Sequence, residues 1–311
     1  MGKATVTICV VPRERFSATR PSLESIYAET SYPFDLVYVD GGSPPHVQSY
    51  LEGAAARHGF ELVRTEFVLA PNEARNIAMK QARTKYVVFI DNDVSVSPRW
   101  LERLVACAEE TGASIVGPLY LIGAPGSDVI HMAGGDVWVE ERDGRRLFFE
   151  RHKHINKRIG EVELQREACG QVEFHCMLAR RDLFEKTGPL DEQLLSCREH
   201  IDFCLTAQQA GGTVYFEPSS HVTYSAPPPF GPGDRSFYLL RWSREWNRRS
   251  LERFAEKWDL DEDEGHRALM SGWLDRHRQK AYKRFRKLDR LLEPVLTRRR
   301  ARQRGNSGKS L

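Results

Sequence analysis

The stretch Lys85-Tyr86-Val87-Val88-Phe89-Ile90-Asp91-Asn92-Asp93 decides how the rest of the chain is read. Five apolar residues, two of them valines, run from Tyr86 to Ile90 and stop at an Asp-x-Asp. A short β-branched and aromatic run bounded by polar residues predicts a strand buried on both faces of a parallel sheet. Side chains alternate along an extended segment, so Asp91 and Asp93 would point the same way, with Cα atoms roughly 7 Å apart. Two carboxylates side by side repel each other unless a cation lies between them. A hard divalent ion, held by few protein oxygens and completed by a diphosphate, suits such a pair. An Asx-type turn into the helix that Ser97-Pro98 opens accounts for the same residues without a metal.

Before this strand, Thr5 to Val11 and Leu36 to Asp40 read as strands, as does Glu61 to Arg64. Helices are predicted at Ser22 to Ala28, Val47 to His58 and Pro71 to Arg83. Such alternation is the signature of a parallel α/β sheet with helices on both faces. After it, a helix over Pro98 to Thr111 leads to a strand at Ser114 to Ile122 and a less regular, hairpin-like region. Val172 to Ala179 then reads as a strand, Arg181 to Lys186 and Glu199 to Ala210 as helices, and Thr213 to Phe216 as a last strand. Pro227-Pro228-Pro229 marks a boundary, dividing residues 1–225 from a helical, basic extension over 226–311.

Of the 311 residues, 41% are apolar and 29% charged, the balance of a globular chain. No signal-peptide pattern and no run of 18 apolar residues occurs, so a cytoplasmic location is expected. Six cysteines without a CxxC spacing predict reduced core thiols. A zinc site drawn from Cys169, His175, Cys176, Cys197 and His200 is the other reading. The net charge of +3 is unevenly spread: fourteen Lys or Arg against Asp289 and Glu293 give residues 276–311 a charge of +12. A basic tail behind an acidic body predicts an anionic membrane surface as partner rather than nucleic acid. A dimerisation helix or a disordered tail would account for it equally.

Ligands of open parallel sheets bind at the carboxyl ends of the strands, which puts Asp40 on the same rim as Asp91 and Asp93. Asp40 ends its strand before Gly41-Gly42 and could accept the ring N–H of a uracil-type base; an ordinary Asp-Gly turn is the plain alternative. Asn72-Glu73-Ala74-Arg75-Asn76 opens the helix before the central strand, where Arg75 could reach a phosphate and Asn76 a sugar hydroxyl.

Taken together, Val39 to Ser43, Asn72 to Asn76 and Phe89 to Asp93 resemble the successive motifs of the family 2 glycosyltransferases. Cys176 to Phe184, Gly188 to Glu192 and Arg198 to Leu205 continue the resemblance in the same order, over roughly residues 4 to 225. The resemblance implies a GT-A fold and a metal-dependent, inverting transfer from a nucleotide-diphosphate sugar, UDP favoured, to a hydroxyl acceptor such as an envelope glycan or lipid-linked saccharide. It implies that Asp40 binds the base, that Arg75 and Asn76 line the donor site, and that Asp91 lies near the ribose. Asp93 would ligate Mn²⁺ or Mg²⁺. Glu199 matches the first acid of the family's later pair, but His200 stands where the general-base Asp is expected. Either could serve as base, with Glu199 favoured because a carboxylate also stabilises positive charge on the sugar ring and a helix N-terminus keeps it ionised. Asp202 would then be a structural helix-turn residue. Family members often carry a metal-assisting His beyond a Pro after the last strand. Here His221 follows Pro218, although the usual spacing falls nearer Tyr224. Two rivals remain at this level: a sugar nucleotidyltransferase, which lacks its Gly-rich loop here, and a non-catalytic glycan-binding or scaffold module.

Overall fold

The structure, a computed structural model, describes residues 4–261, 264–281, 294–298 and 300–301. The first half alternates strand and helix as expected. In chain order it runs β1 (Val6–Val11), α1 (Thr19–Glu29), β2 (Phe34–Gly41), α2 (Pro45–His58), β3 (Glu61–Thr65), α3 (Pro71–Gln81) and β4 (Tyr86–Asp91). Then come β5 (Val94–Val96), α4 (Trp100–Thr111), β6 (Ile115–Ile122), β7 (Ile130–Met132), and a two-stranded hairpin of β8 (Gly135–Arg142) and β9 (Arg145–His152). β10 (Glu167–Ala168), β11 (Cys176–Arg180), α5 (Leu183–Thr187), α6 (Glu199–Gln209) and β12 (Val214–Tyr224) follow. Beyond them lie α7 (Asp234–Arg241), α8 (Arg244–Trp258) and α9 (Glu264–Ala281).

The main sheet has the order β10-β12-β6-β11-β4-β1-β2-β3. β3, β2, β1 and β4 are mutually parallel, while β11 runs antiparallel to both β4 and β6. Every residue of β1 and of β4 is buried, so helices cover both sheet faces, and the apolar runs of the sequence supply the core. This is the α/β, mixed-sheet GT-A architecture expected, with C-terminal helices added.

Three sequence expectations shift, each for a local reason. Asp91-Asn92-Asp93 is not one extended segment: β4 ends at Asp91, and the chain turns through Asn92 and Asp93 into β5. Asn92 pins that turn, accepting the Arg13 backbone N–H at 3.0 Å and donating to Arg15 O at 2.9 Å. Val172 to His175 bends across the sheet rim, and the strand begins only at Cys176. Finally, β12 continues through Pro218 to Tyr224 because a register irregularity between Glu217 and His221 accommodates the proline.

The C-terminal helices pack directly on the sheet domain. Leu240 and Trp246 cluster with Ala70 and Leu195, and Phe254 with Leu194 and Ile201. Much of the basic stretch beyond residue 276 lies outside the described residues. Within them, Arg300 reaches back to bond Val68 O at 2.9 Å and the Glu73 carboxylate, and stacks on Trp246. Among the described residues, no helix is long and apolar enough to cross a membrane.

Candidate active site

Four strand ends meet at one rim. β1 delivers Arg13 and Glu14, β4 delivers Asp91 and Asp93, β11 begins beside His175, and β12 ends at Tyr224. Register enforces this: Val11 pairs with Asp91, Asp91 N donates to His175 O at 3.2 Å, and Ser225 N donates to Asp93 O at 3.0 Å. Asp91, Asp93 and His175 converge so that one ligand atom of each lies within 4.8 Å of the others, and all three are buried.

The two aspartates sit in opposite electrostatic environments. Asp91 Oδ2 lies 3.1 Å from Arg13 Nη1, and Asp91 Oδ1 lies 3.2 Å from Arg75 Nη2. Burial works against its charge, but Arg13, the His175 contact and Arg75 prevail and bring its carboxyl down to about 2. Asp93 is 1% exposed, and neither of its carboxylate oxygens has a hydrogen-bond partner. Burial, Glu14 and Asp91 push its carboxyl well above the usual range. A buried acid left without donors costs about 1–3 kcal/mol or more, and an oxygen-seeking cation is the group that satisfies it. Asp93, Asp91 and their neighbours therefore fit a divalent metal.

Glu14 lies beneath this pair, fully buried, accepting hydrogen bonds from Tyr224 Oη and, at 3.1 Å, from Trp242 Nε1. Sequence reasoning treated Arg13 and Glu14 as a charged loop. The available signal was their position directly after a buried strand, on the same rim as Asp91.

The other predicted residues divide. Asp40 ends β2 as expected, but its carboxylate is largely spent: Oδ1 accepts Ser43 N at 3.0 Å, and Oδ2 bonds Ser43 Oγ and Arg64. Gly42 has φ +69°, and Gly41 makes room for Pro12 and the Leu69 backbone, so these glycines serve the turn itself. Arg75 has no exposed surface. It stacks on Phe174 at 3.8 Å and supports Asp91 from below, so it does not reach the rim where a phosphate would lie. Asn76 is likewise buried. Its amide bonds Leu190 N and O and Glu192, clamping the Gly188–Glu192 loop instead of facing an opening. His221 does not join the aspartates. Its Nε2 bonds Pro218 O at 2.9 Å, and it sits three residues before Tyr224, roughly 10 Å back along the strand.

At the start of α6 the structure separates the two candidate bases. Glu199 is buried in an ion pair with Arg241, Nη2 to Oε1 at 2.7 Å, and this cation with Arg75 holds its carboxyl low despite burial. His200 Nε2 is buried without a hydrogen-bond partner, and His200 forms a close group with Glu150 and His152 of β9. Burial lowers its pKa to about 4, so it is neutral near pH 7. Asp202 is committed to Lys257 and to Trp258 Nε1, the structural role expected. Arg198, which precedes the helix, takes a left-handed φ of +68°, a conformation non-glycine residues adopt at a cost. The six cysteines are free, and among the described residues no metal-capable group includes one. The mixed Cys/His zinc reading is set aside on that ground.

A GT-A sheet with this acidic pair at its carboxyl rim is the framework of a glycosyltransferase. The chain belongs to Glycosyl transferase family 2, whose family model matches residues 7–188. It is similar to the O-antigen biosynthesis protein RfbC of Myxococcus xanthus, 28% identical over 68% of this chain but only 16% of that protein. It is also similar to the succinoglycan biosynthesis protein ExoM of Rhizobium meliloti, 25% identical over 71% of this chain and 66% of that protein. Among solved structures, GalNAc-T7 with UDP, GalNAc and Mn²⁺ superposes with TM-score 0.56 at 19% identity, covering 83% of this chain and 55% of the other. Staphylococcus aureus TarS 1–349 in complex with UDP-GlcNAc superposes at 0.51 and 17% identity, covering 90% and 72%. These two likenesses carry the fold.

Proposed function

We propose that the protein is a divalent-metal-dependent, inverting transferase that moves a sugar from a uridine-diphosphate donor to a hydroxyl of an envelope glycan or lipid-linked saccharide. The observation that carries this reading is the pair of buried, unpartnered oxygens on Asp93, next to an Asp91 already neutralised by two arginines. Mn²⁺ or Mg²⁺ bound there would neutralise the diphosphate as it leaves. Asp93 is the principal ligand in this account. Arg13, 15% exposed at its side chain, is the cation on the rim facing the diphosphate. The uridine preference rests on the UDP complexes of the two neighbours, and the glycan acceptor on the names of the two relatives.

In this reading His200 is the base, in preference to Glu199. Its Nε2 carries no competing bond, whereas Glu199 is locked to Arg241. A neutral imidazole at the start of α6 can take the acceptor proton as the hydroxyl attacks the anomeric carbon from the face opposite the diphosphate. Calorimetric titration of UDP, GDP and CDP, with Mn²⁺ and with chelator, tests the donor half of this reading. UDP should bind with Mn²⁺ and weaken at least tenfold with chelator; equal affinity in both conditions would remove the metal from the account.

A further inference from the structure

We infer that His175 Nδ1 is a third protein ligand of the divalent cation, and that Glu173 and His131 behind the ring fix the tautomer that exposes it. This inference rests on the metal-dependent reading above and places the nitrogen donor on the turn before β11 instead of at His221 of β12.

Placement is the first argument. His175 is 1% exposed and anchored by the 3.2 Å bond from Asp91 N to its carbonyl, so its ring stands beside the end of β4. Nδ1 lies 3.2 Å from Asp91 Oδ2, yet off the line of a hydrogen bond. Both Asp93 oxygens are thus buried and unpartnered, and Nδ1, whose neighbour is the Asp91 carboxylate, lies close to them. Buried lone pairs gathered within 4.8 Å of one another point to a shared cation, since a buried acceptor left unmet is costly.

The far side of the ring supplies the second argument. Nε2 lies 3.7 Å from Glu173 Oε2, an ion-pair distance and not a hydrogen bond, and His131 Nε2 approaches the same oxygen at 3.1 Å. A carboxylate behind a metal-bound imidazole holds the N–H on the distal nitrogen and leaves the proximal lone pair free. Glu173 is 7% exposed, so this support is itself fixed in place.

Tyr224 adds a third. Its ring packs 4.2 Å from that of His175, but its hydroxyl is committed to Glu14. The end of β12 therefore supplies no nitrogen, and the turn that leads into β11 does.

An imidazole donor also sets metal preference. Nitrogen ligands favour Mn²⁺, Co²⁺ and Zn²⁺ over Mg²⁺ and Ca²⁺, which are satisfied by oxygen.

Pulsed EPR of the Mn²⁺–UDP complex of the full chain tests the inference. The wild type should show a ¹⁴N coupling that converts to ¹⁵N in protein made with ¹⁵N-histidine, a readout that requires no variant to fold. His175→Gln should lose the coupling and weaken Mn²⁺ about 10–100-fold while changing Mg²⁺ less, and Glu173→Gln should keep the coupling with Mn²⁺ weakened about tenfold. A wild-type complex without the histidine coupling overturns the inference, as does a coupling that persists in His175→Gln. If Asp93→Ala loses Mn²⁺ while His175→Gln keeps affinity and coupling, the third ligand alone fails. If wild type and Asp93→Ala are equally unable to bind Mn²⁺, the metal-dependent reading fails with it.

Discussion

Arg241 Nη2 donates to Glu199 Oε1 at 2.7 Å, and both side chains are buried. The next residue, Trp242, donates its indole N–H to Glu14. Two consecutive residues at the end of α7 thus hold two buried acids of the sheet domain, which ties the C-terminal helices to the candidate site.

Removing one partner of such a pair leaves an uncompensated buried charge. Arg241→Ala should lose about 3–5 kcal/mol of stability in urea unfolding, while Glu199→Gln combined with Arg241→Gln should recover much of it. An additive loss in the double variant would show that the pair is not coupled.

The two candidate bases at the start of α6 should respond differently to substitution. His200→Gln should lower kcat by roughly 10²–10⁴-fold with donor affinity unchanged, as expected for loss of a general base. Glu199→Gln should act chiefly on stability. Steady-state kinetics beside thermal melts separates the two, and a fully active His200→Gln would return the role to Glu199.

Asp93 carries a repulsion from Glu14 and Asp91 that the proposed metal would relieve. In chelator, Asp93→Asn should therefore melt higher than wild type, by about 2–4 °C if the gain is ~1 kcal/mol. Wild type should gain thermal stability from Mn²⁺ with UDP, and the variant should not. A variant that melts lower in chelator would mean that Asp93 is satisfied without a metal.

Stability should fall with acid through histidines kept neutral by burial. His200 and His277 are each lowered to about 4 by burial, whereas an unfolded chain takes up these protons near pH 6.5. Between those values the unfolded state binds more protons, so stability rises with pH. The contribution is complete above about pH 6.5 and is lost as pH falls through about 4. Urea unfolding at several pH values should show that slope, and His200→Gln should flatten it.

Much of this was legible in the sequence because hydrophobic runs dictate buried strands. The Tyr86–Ile90 run, its terminal aspartates and the later acidic motif carried the fold and the family, and put the aspartate pair at the sheet rim. What escaped depended on bends. Reading Val172–Ala179 as one straight strand put His175 in a zinc reading with the cysteines and hid its place, and that of Glu173, beside the aspartates, although two polar residues flanking Phe174 interrupt an otherwise apolar run. Pro218 masked the second half of β12 because a proline removes a ladder donor, and an irregularity that absorbs it leaves no pattern in composition. Arg75 and Asn76 were recognised as residues of the motif, but their hydrogen bonds depend on the Gly188–Glu192 loop, more than a hundred residues away.

The most direct test is nucleoside-diphosphate release from a panel of sugar nucleotides, with Mn²⁺ and with chelator, for wild type and Asp93→Ala. Turnover of one uridine-diphosphate sugar that stops in chelator and falls at least a thousandfold in the variant is the predicted result. Turnover that is indifferent to chelator, or undiminished in Asp93→Ala, would contradict the assignment of Asp93 as the metal-holding residue of this transferase.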